Sequence, residues 1–123
     1  SDGEGYGQEE IKSGRLLHPR SFGAFPHFWH YFVADKKILS AEEAVKKMTS
    51  GPAEALKIKK RGTLSVGNFA DVVIFDPRLF RDRATYKNPF NFPAGTEWVI
   101  VNGKIAVDSG RPLGIRAGRI LRR

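Results

Sequence analysis

The sequence contains no cysteine and a single methionine. Without thiols it has neither a disulfide framework nor a thiolate metal site, a pattern that fits a reducing compartment. No apolar run approaches the roughly 20 residues that a membrane-spanning helix requires, so a cytoplasmic protein without a membrane partner is expected. Histidine is scarce: His18, His27 and His30 are the three present, all near the start. None remains further along to complete a Ser–His–Asp arrangement. A P-loop, a dinucleotide fingerprint, a G-x-S-x-G elbow and an H-E-x-x-H helix are absent as well. No complete active site can be assembled from these 123 residues.

What is present is an ordinary globular composition with a basic excess, 21 Lys and Arg against 13 Asp and Glu, for a net charge of +8. Such a charge permits acidic partners without demonstrating them. The basic residues are dispersed, apart from short runs at Lys57, Lys59, Lys60, Arg61 and at Arg116, Arg119, Arg122, Arg123. Dispersion suits a solvated face better than a phosphate groove, and no nucleic-acid partner is expected.

The most informative stretch runs from Arg61 to Pro77: R-G-T-L-S-V-G-N-F-A-D-V-V-I-F-D-P. Gly62 and Gly67 punctuate it and supply backbone positions free of Cβ clash. Val72-Val73-Ile74-Phe75 is an unbroken β-branched and aromatic run, which reads as a strand buried on both faces. Asp76-Pro77 ends it, because proline cannot continue a ladder.

Upstream, residues 1–17 are polar and glycine-rich and read as a loop. Ser1-Asp2-Gly3-Glu4-Gly5 is unlike a signal peptide, and the missing initiator methionine suggests a piece of a longer protein. A helix is expected from about Phe25, with Pro26 in its first turn. Phe25, Phe28, Trp29, Phe32 and Val33 would form one apolar face. His27 and His30 lie off that stripe. Their i, i+3 spacing suits a metal pair, but no third ligand is placed to complete one. Ser40-Ala41-Glu42-Glu43 is a capping box, and its helix should turn Ala44, Val45 and Met48 inward and Lys46 and Lys47 outward. A short third helix is expected from Pro52 to Leu56. Downstream, residues 77–95 read as loop. Trp98–Val101 and Lys104–Asp108 read as strands joined by a type I′ turn at Asn102-Gly103, and Arg119-Ile120-Leu121 as an edge strand. Three helices and a hairpin also admit a basic winged helix, although the third helix is too short to lay side chains along a major groove.

Taken together, these motifs resemble the C-terminal quarter of the D-aminoacylases (N-acyl-D-amino-acid deacylases) of the amidohydrolase superfamily. The resemblance rests on Ser1-Asp2-Gly3, on His18-Pro19-Arg20-Ser21-Phe22-Gly23-Ala24-Phe25-Pro26, and on the Leu39-Ser40-x-Glu42-Glu43-Ala44 helix start. It continues through the Arg61–Pro77 segment, Asp82-Arg83-Ala84-Thr85-Tyr86, Val99-Ile100-Val101-Asn102-Gly103 and the terminal Gly118–Arg123 run. It implies an α+β fragment. Residues 1–58 would be the end of a (β/α)8 barrel, a catalytic loop plus about three helices, and residues 59–123 part of a small β-sandwich domain.

The implied activity is zinc-dependent hydrolysis of the amide bond of N-acyl-D-amino acids. By resemblance Asp2 is the catalytic carboxylate that takes a proton from the zinc-bound water and passes it to the leaving amine. Read without the family, it is an inert loop aspartate. Arg20 matches an arginine near the substrate carboxylate, and His18 lies with it on the substrate-binding side, shaping the loop together with Pro19. The alternative for Arg20 is a helix-flanking surface arginine. The family's metal ligands would lie upstream, so zinc is expected in the full-length enzyme and not in this chain alone, with Asp2 the one candidate contact. The partners implied are the small-molecule substrate and the missing N-terminal part of the enzyme, without which this piece should be inactive. A dihydroorotase- or hydantoinase-like enzyme is the nearest alternative. A sheet missing partner strands is expected to leave exposed edges that favour self-association.

Overall fold

The computed structural model describes residues 2, 3, 5, 6 and 17–121. The expected loop over 1–17 therefore falls mostly outside the described residues, as do Ser1 and the final Arg122-Arg123 pair. Among the described residues no helix is long and apolar enough to cross a membrane.

Helix α1 spans Arg20–Trp29, beginning five residues before the expected start. Pro19 already holds a helical conformation (φ −58°, ψ −19°), and its carbonyl accepts the amides of Phe22 and Gly23 at 3.1 and 3.0 Å. The first turn thus closes ahead of Pro26, which lies inside the helix. There it forfeits one i→i−4 bond, to the Phe22 carbonyl. The helix then widens into a π turn over His30–Asp35, which changes the phase of the side chains that follow. The expected stripe is not one buried face even ahead of that turn. Trp29 is 4% exposed, whereas Phe25 stands 47% exposed. Phe28 and Val33 pack half-buried against the core.

Helix α2, Ala41–Met48, starts with the capping box. The Glu43 amide donates to Ser40 Oγ at 3.2 Å, and Glu43 Oε2 accepts from the Ser40 amide at 2.9 Å. Ala44 is fully buried and Met48, one turn on, packs beside it. Val45, expected inward, is exposed, since it lies about 100° round the helix from Ala44. Helix α3 spans Ser50–Ala55, so Pro52 occupies its first turn, where an amide would have no partner.

Four strands form one antiparallel meander in the order β1–β2–β3–β4: Val72–Phe75, Thr96–Val101, Lys104–Asp108 and Arg111–Pro112. The apolar run of β1 is not buried on both faces. Among the described residues it lies at the sheet edge, paired with β2 alone, and exposes Val73 and Ile74. Asn102 (φ 49°) and Gly103 (φ 78°) make the expected left-handed turn between β2 and β3. Ser109 and Gly110 repeat it (φ 48° and 72°) and add β4. The expected strand at Arg119–Leu121 does not form. Asn102 Nδ2 donates to the Ala117 carbonyl at 2.6 Å, and the Arg119 guanidinium lies 5.6 Å from the Phe69 ring centre, which holds this segment away from a ladder. Because the hairpin shares its sheet with β1, it is not the lone wing of a winged helix.

Helices and sheet meet in a small aromatic core of Trp29, Ala44 and Phe80, with Phe75 packed against it. The Trp29 ring meets Phe75 edge-on at 5.0 Å, Phe75 lies 4.4 Å from Phe80, and Trp29 Nε1 donates to the Pro77 carbonyl at 3.0 Å. Asp76 makes the turn that brings Phe80 inward, its carbonyl accepting the Leu79 and Phe80 amides. Gly95 (φ 78°) lets this turn close: a Cβ there would stand 2.5 Å from the Phe80 nitrogen.

Arg61 anchors the segment before β1. Its guanidinium donates to Asp71 and to Asn102 Oδ1, and it lies 4.3 Å from the Phe69 ring centre. The Asn102 amide also donates to Asp71 Oδ1 at 2.8 Å. Burial disfavours the Asp71 carboxylate, but the hydrogen bonds from Asn102 and Arg61 and the arginine's charge outweigh it and hold the carboxyl below its ordinary value. A folded-state value below the unfolded one stabilises above the unfolded titration, near pH 4, and is lost as pH falls through the folded value. Asp71→Asn should therefore lower the melting temperature at pH 7, and the gap to wild type should narrow as pH falls below about 4. Thermal unfolding of both proteins across that range checks this; a gap independent of pH would contradict it.

Candidate active site

The candidate residues gather around the first turn of α1. Asp2 adopts a left-handed conformation (φ 50°), which aspartate tolerates better than most side chains. Gly3 packs on the helix start, where a Cβ would stand 3.3 Å from Ser21 Cα. This places the Asp2 carboxylate 2.7 Å from Arg20 Nη2. Both groups face solvent, so their attraction contributes little to stability, about 1 kcal/mol at most. Its interest is chemical: a carboxylate and a planar five-donor cation share one spot. A cavity of about 200 Å³ opens beside Arg20, lined also by Gly3, Gly5, Ser21, Phe22 and residues 24–26 of α1.

His18 is wholly engaged within the protein. Its Nδ1 accepts the Arg20 amide at 3.1 Å, and its Nε2 lies 3.0 Å from the Tyr86 hydroxyl. The ring shapes the loop and has no free nitrogen for a ligand. His27 pairs with Asp82 at 3.2 Å and His30 with Asp35 at 3.5 Å, so these two histidines do not converge. Among the described residues no group of three His, Cys, Asp or Glu could hold a metal ion, and the residues here do not by themselves fit a zinc site.

The loop between β1 and β2 grips the site from the far half of the chain. Phe22 meets Phe90 and Phe92 edge-on at 5.8 and 5.6 Å and stacks on Tyr6 at 6.4 Å. Tyr86 meets His18 at 5.2 Å. Gly23 is buried against Asp82. Sequence reasoning noted the Asp82–Tyr86 box but assigned it no place in the site, because its loop lies some 60 residues from α1 and no periodicity links the two.

Residues 17–107 match the model of the amidohydrolase family. The chain is 45% identical over 117 residues to the N-acyl-D-glutamate deacylase of Alcaligenes xylosoxydans xylosoxydans, covering 95% of this chain and 24% of that protein. A solved D-aminoacylase structure superposes with a TM-score of 0.83 at 36% identity, covering 88% of this chain and 23% of that one. The N-acyl-D-glutamate deacylase of Bordetella bronchiseptica, solved with zinc and a phosphonate inhibitor, gives a TM-score of 0.72 at 37% identity, over 79% of this chain and 21% of that one. The chain thus spans about a quarter of the length of the curated relatives it matches.

The seating of the loop on α1 is testable at Gly23. A Cβ there would stand 2.9 Å from Asp82 Cβ, so Gly23→Ala should destabilise the protein by about 1–3 kcal/mol through overpacking. Urea denaturation measures it, and an unchanged midpoint would mean that the loop is not held there.

Proposed function

This chain belongs to the amidohydrolase family, and from that premise we propose that it is the C-terminal part of an enzyme that hydrolyses the amide bond of N-acyl-D-amino acids. The pairing of Asp2 with Arg20 carries this reading. In an N-acyl amino acid the carboxylate carbon and the amide nitrogen are bonded to the same Cα and lie about 2.5 Å apart. Groups that hold the one and protonate the other must therefore be neighbours, as Asp2 and Arg20 are.

In this mechanism Arg20 takes the substrate carboxylate on its planar fork, an interaction suited to bidentate binding. The incoming carboxylate replaces Asp2 as the arginine's partner and leaves Asp2 facing the scissile amide. Asp2 accepts a proton from the attacking water and delivers it to the departing nitrogen, the general-base and general-acid halves of one transfer. The products are a carboxylate and the free amino acid. His18 and Pro19 fix the turn that presents Arg20. Zinc, present in the Bordetella relative, would polarise the amide carbonyl and acidify the water. Its ligands would come from residues outside this chain, with Asp2 the candidate contact among the described residues. Residues 1–58 would then close the barrel and residues 59–123 contribute to the smaller β-domain, in a cytoplasmic enzyme.

The test is Asp2→Asn in the full-length enzyme, assayed on N-acyl-D-amino acids against their L-enantiomers. Loss of the proton carrier should lower kcat about a hundredfold to ten-thousandfold with little change in KM. Unchanged turnover would remove Asp2 from the mechanism, and equal turnover of the L-series would reject the substrate class.

A further inference from the structure

His18 presents its two nitrogens to two different partners. A backbone amide can only donate, so Nδ1, 3.1 Å from the Arg20 amide, is the acceptor. The neutral ring then carries its proton on Nε2 and donates it to the Tyr86 oxygen 3.0 Å away. The contact from His18 to the amide two residues on is the geometry that Asn and Asp side chains make in an Asx turn. An asparagine would serve for that turn alone. Only histidine adds a second, opposite nitrogen able to reach a residue 68 positions down the chain.

Tyr86 is itself poorly packed, 72% exposed, so burial does not explain its position. Its definite attachments are the ring contact with His18 and the hydrogen bond to Nε2. The amide that closes that turn belongs to Arg20, the residue paired with Asp2.

We propose that Tyr86 is a positioning residue for Arg20: by accepting the Nε2 proton of His18 it keeps Nδ1 free to accept the Arg20 amide, and so fixes how the arginine leaves the first turn of α1. This rests on the reading of Arg20 as the carboxylate-binding residue. Remove the phenol oxygen and the ring can place its proton on Nδ1, where donor faces donor and the turn loosens. The hydroxyl serves here as acceptor and keeps its own proton, so no proton leaves the tyrosine in this contact.

The experiment uses the full-length enzyme and steady-state hydrolysis of an N-acetyl-D-amino acid. Arg20→Ala comes first: a rise in KM of about a hundredfold or more fits the loss of a bidentate charged contact, whereas an unchanged KM rejects the carboxylate-binding reading and this inference with it. Given that rise, Tyr86→Phe keeps the ring and removes the oxygen. It should raise KM about three- to tenfold with kcat within about twofold, the scale of one hydrogen bond, and leave the melting temperature within about 2 °C. Adding His18→Asn to Tyr86→Phe supplies an amide oxygen for the Arg20 amide with no tautomer to set, and should return KM to within about twofold of wild type. If Tyr86→Phe leaves KM unchanged, or if the double variant is no better than the single one, Tyr86 has no positioning role and the inference fails while the reading of Arg20 stands. The ¹⁵N spectrum of His18 gives an independent readout: a proton on Nε2 in the wild type supports the proposal, and one on Nδ1 overturns it.

Discussion

The structure depends on one buried indole. Trp29 ends α1, and its ring packs edge-on against Phe75 at the end of β1, while its nitrogen donates to the Pro77 carbonyl just beyond. A buried Trp N–H needs an acceptor, and the backbone turn at Pro77 is the one it finds. That single side chain therefore fixes where the helical part meets the sheet and the direction in which the chain leaves β1. Phe80, drawn in by the Asp76 turn, closes the same cluster over Ala44 of α2. The core is otherwise thin: large apolar side chains such as Leu64, Val66, Val73 and Ile120 remain exposed, and among the described residues one ladder edge of β1 has no partner strand.

The site follows from that junction. Once Pro77 is pinned, the loop leading to β2 returns over the beginning of α1, where Asp82, Tyr86, Phe90 and Phe92 meet Gly23, His18 and Phe22. The candidate arginine sits on the first turn of a helix whose start is shaped by one half of the chain and clamped by the other, and the candidate carboxylate, Asp2, pairs with it from upstream. Such bracing suits the carboxylate-binding role proposed for Arg20, because binding energy is used well only when the geometry is set beforehand.

Much of this was legible in the sequence, and the failures have physical causes. The capping box at Ser40, the Asn102-Gly103 turn and the β2–β3 hairpin are local, each specified by two to four residues, and they formed where the pattern placed them. The start of α1 was misplaced because Pro26 looked like a first-turn proline, whereas Pro19 had already seeded the helix. The burial of β1 was overestimated because an apolar run reports what a strand can bury, and its covering partners are not decided by its own residues. Asp2 and Arg20 were picked out by resemblance, and their proximity became visible only in the fold. Tyr86 carried a motif but no role, since its reach to His18 depends on the Trp29–Pro77 junction, which no local spacing encodes.

The central claim is that Arg20 and Asp2 act on the carboxylate and the amide nitrogen that share one Cα of the substrate. A crystal structure of the full-length enzyme with a phosphonate analogue of an N-acyl-D-amino acid tests it most directly. The account predicts the Arg20 guanidinium within about 3 Å of the analogue's free carboxylate, and the Asp2 carboxylate within about 3 Å of the atom standing for the departing nitrogen. An analogue bound with either side chain more than about 5 Å from its assigned atom, beyond hydrogen-bond reach, would contradict it.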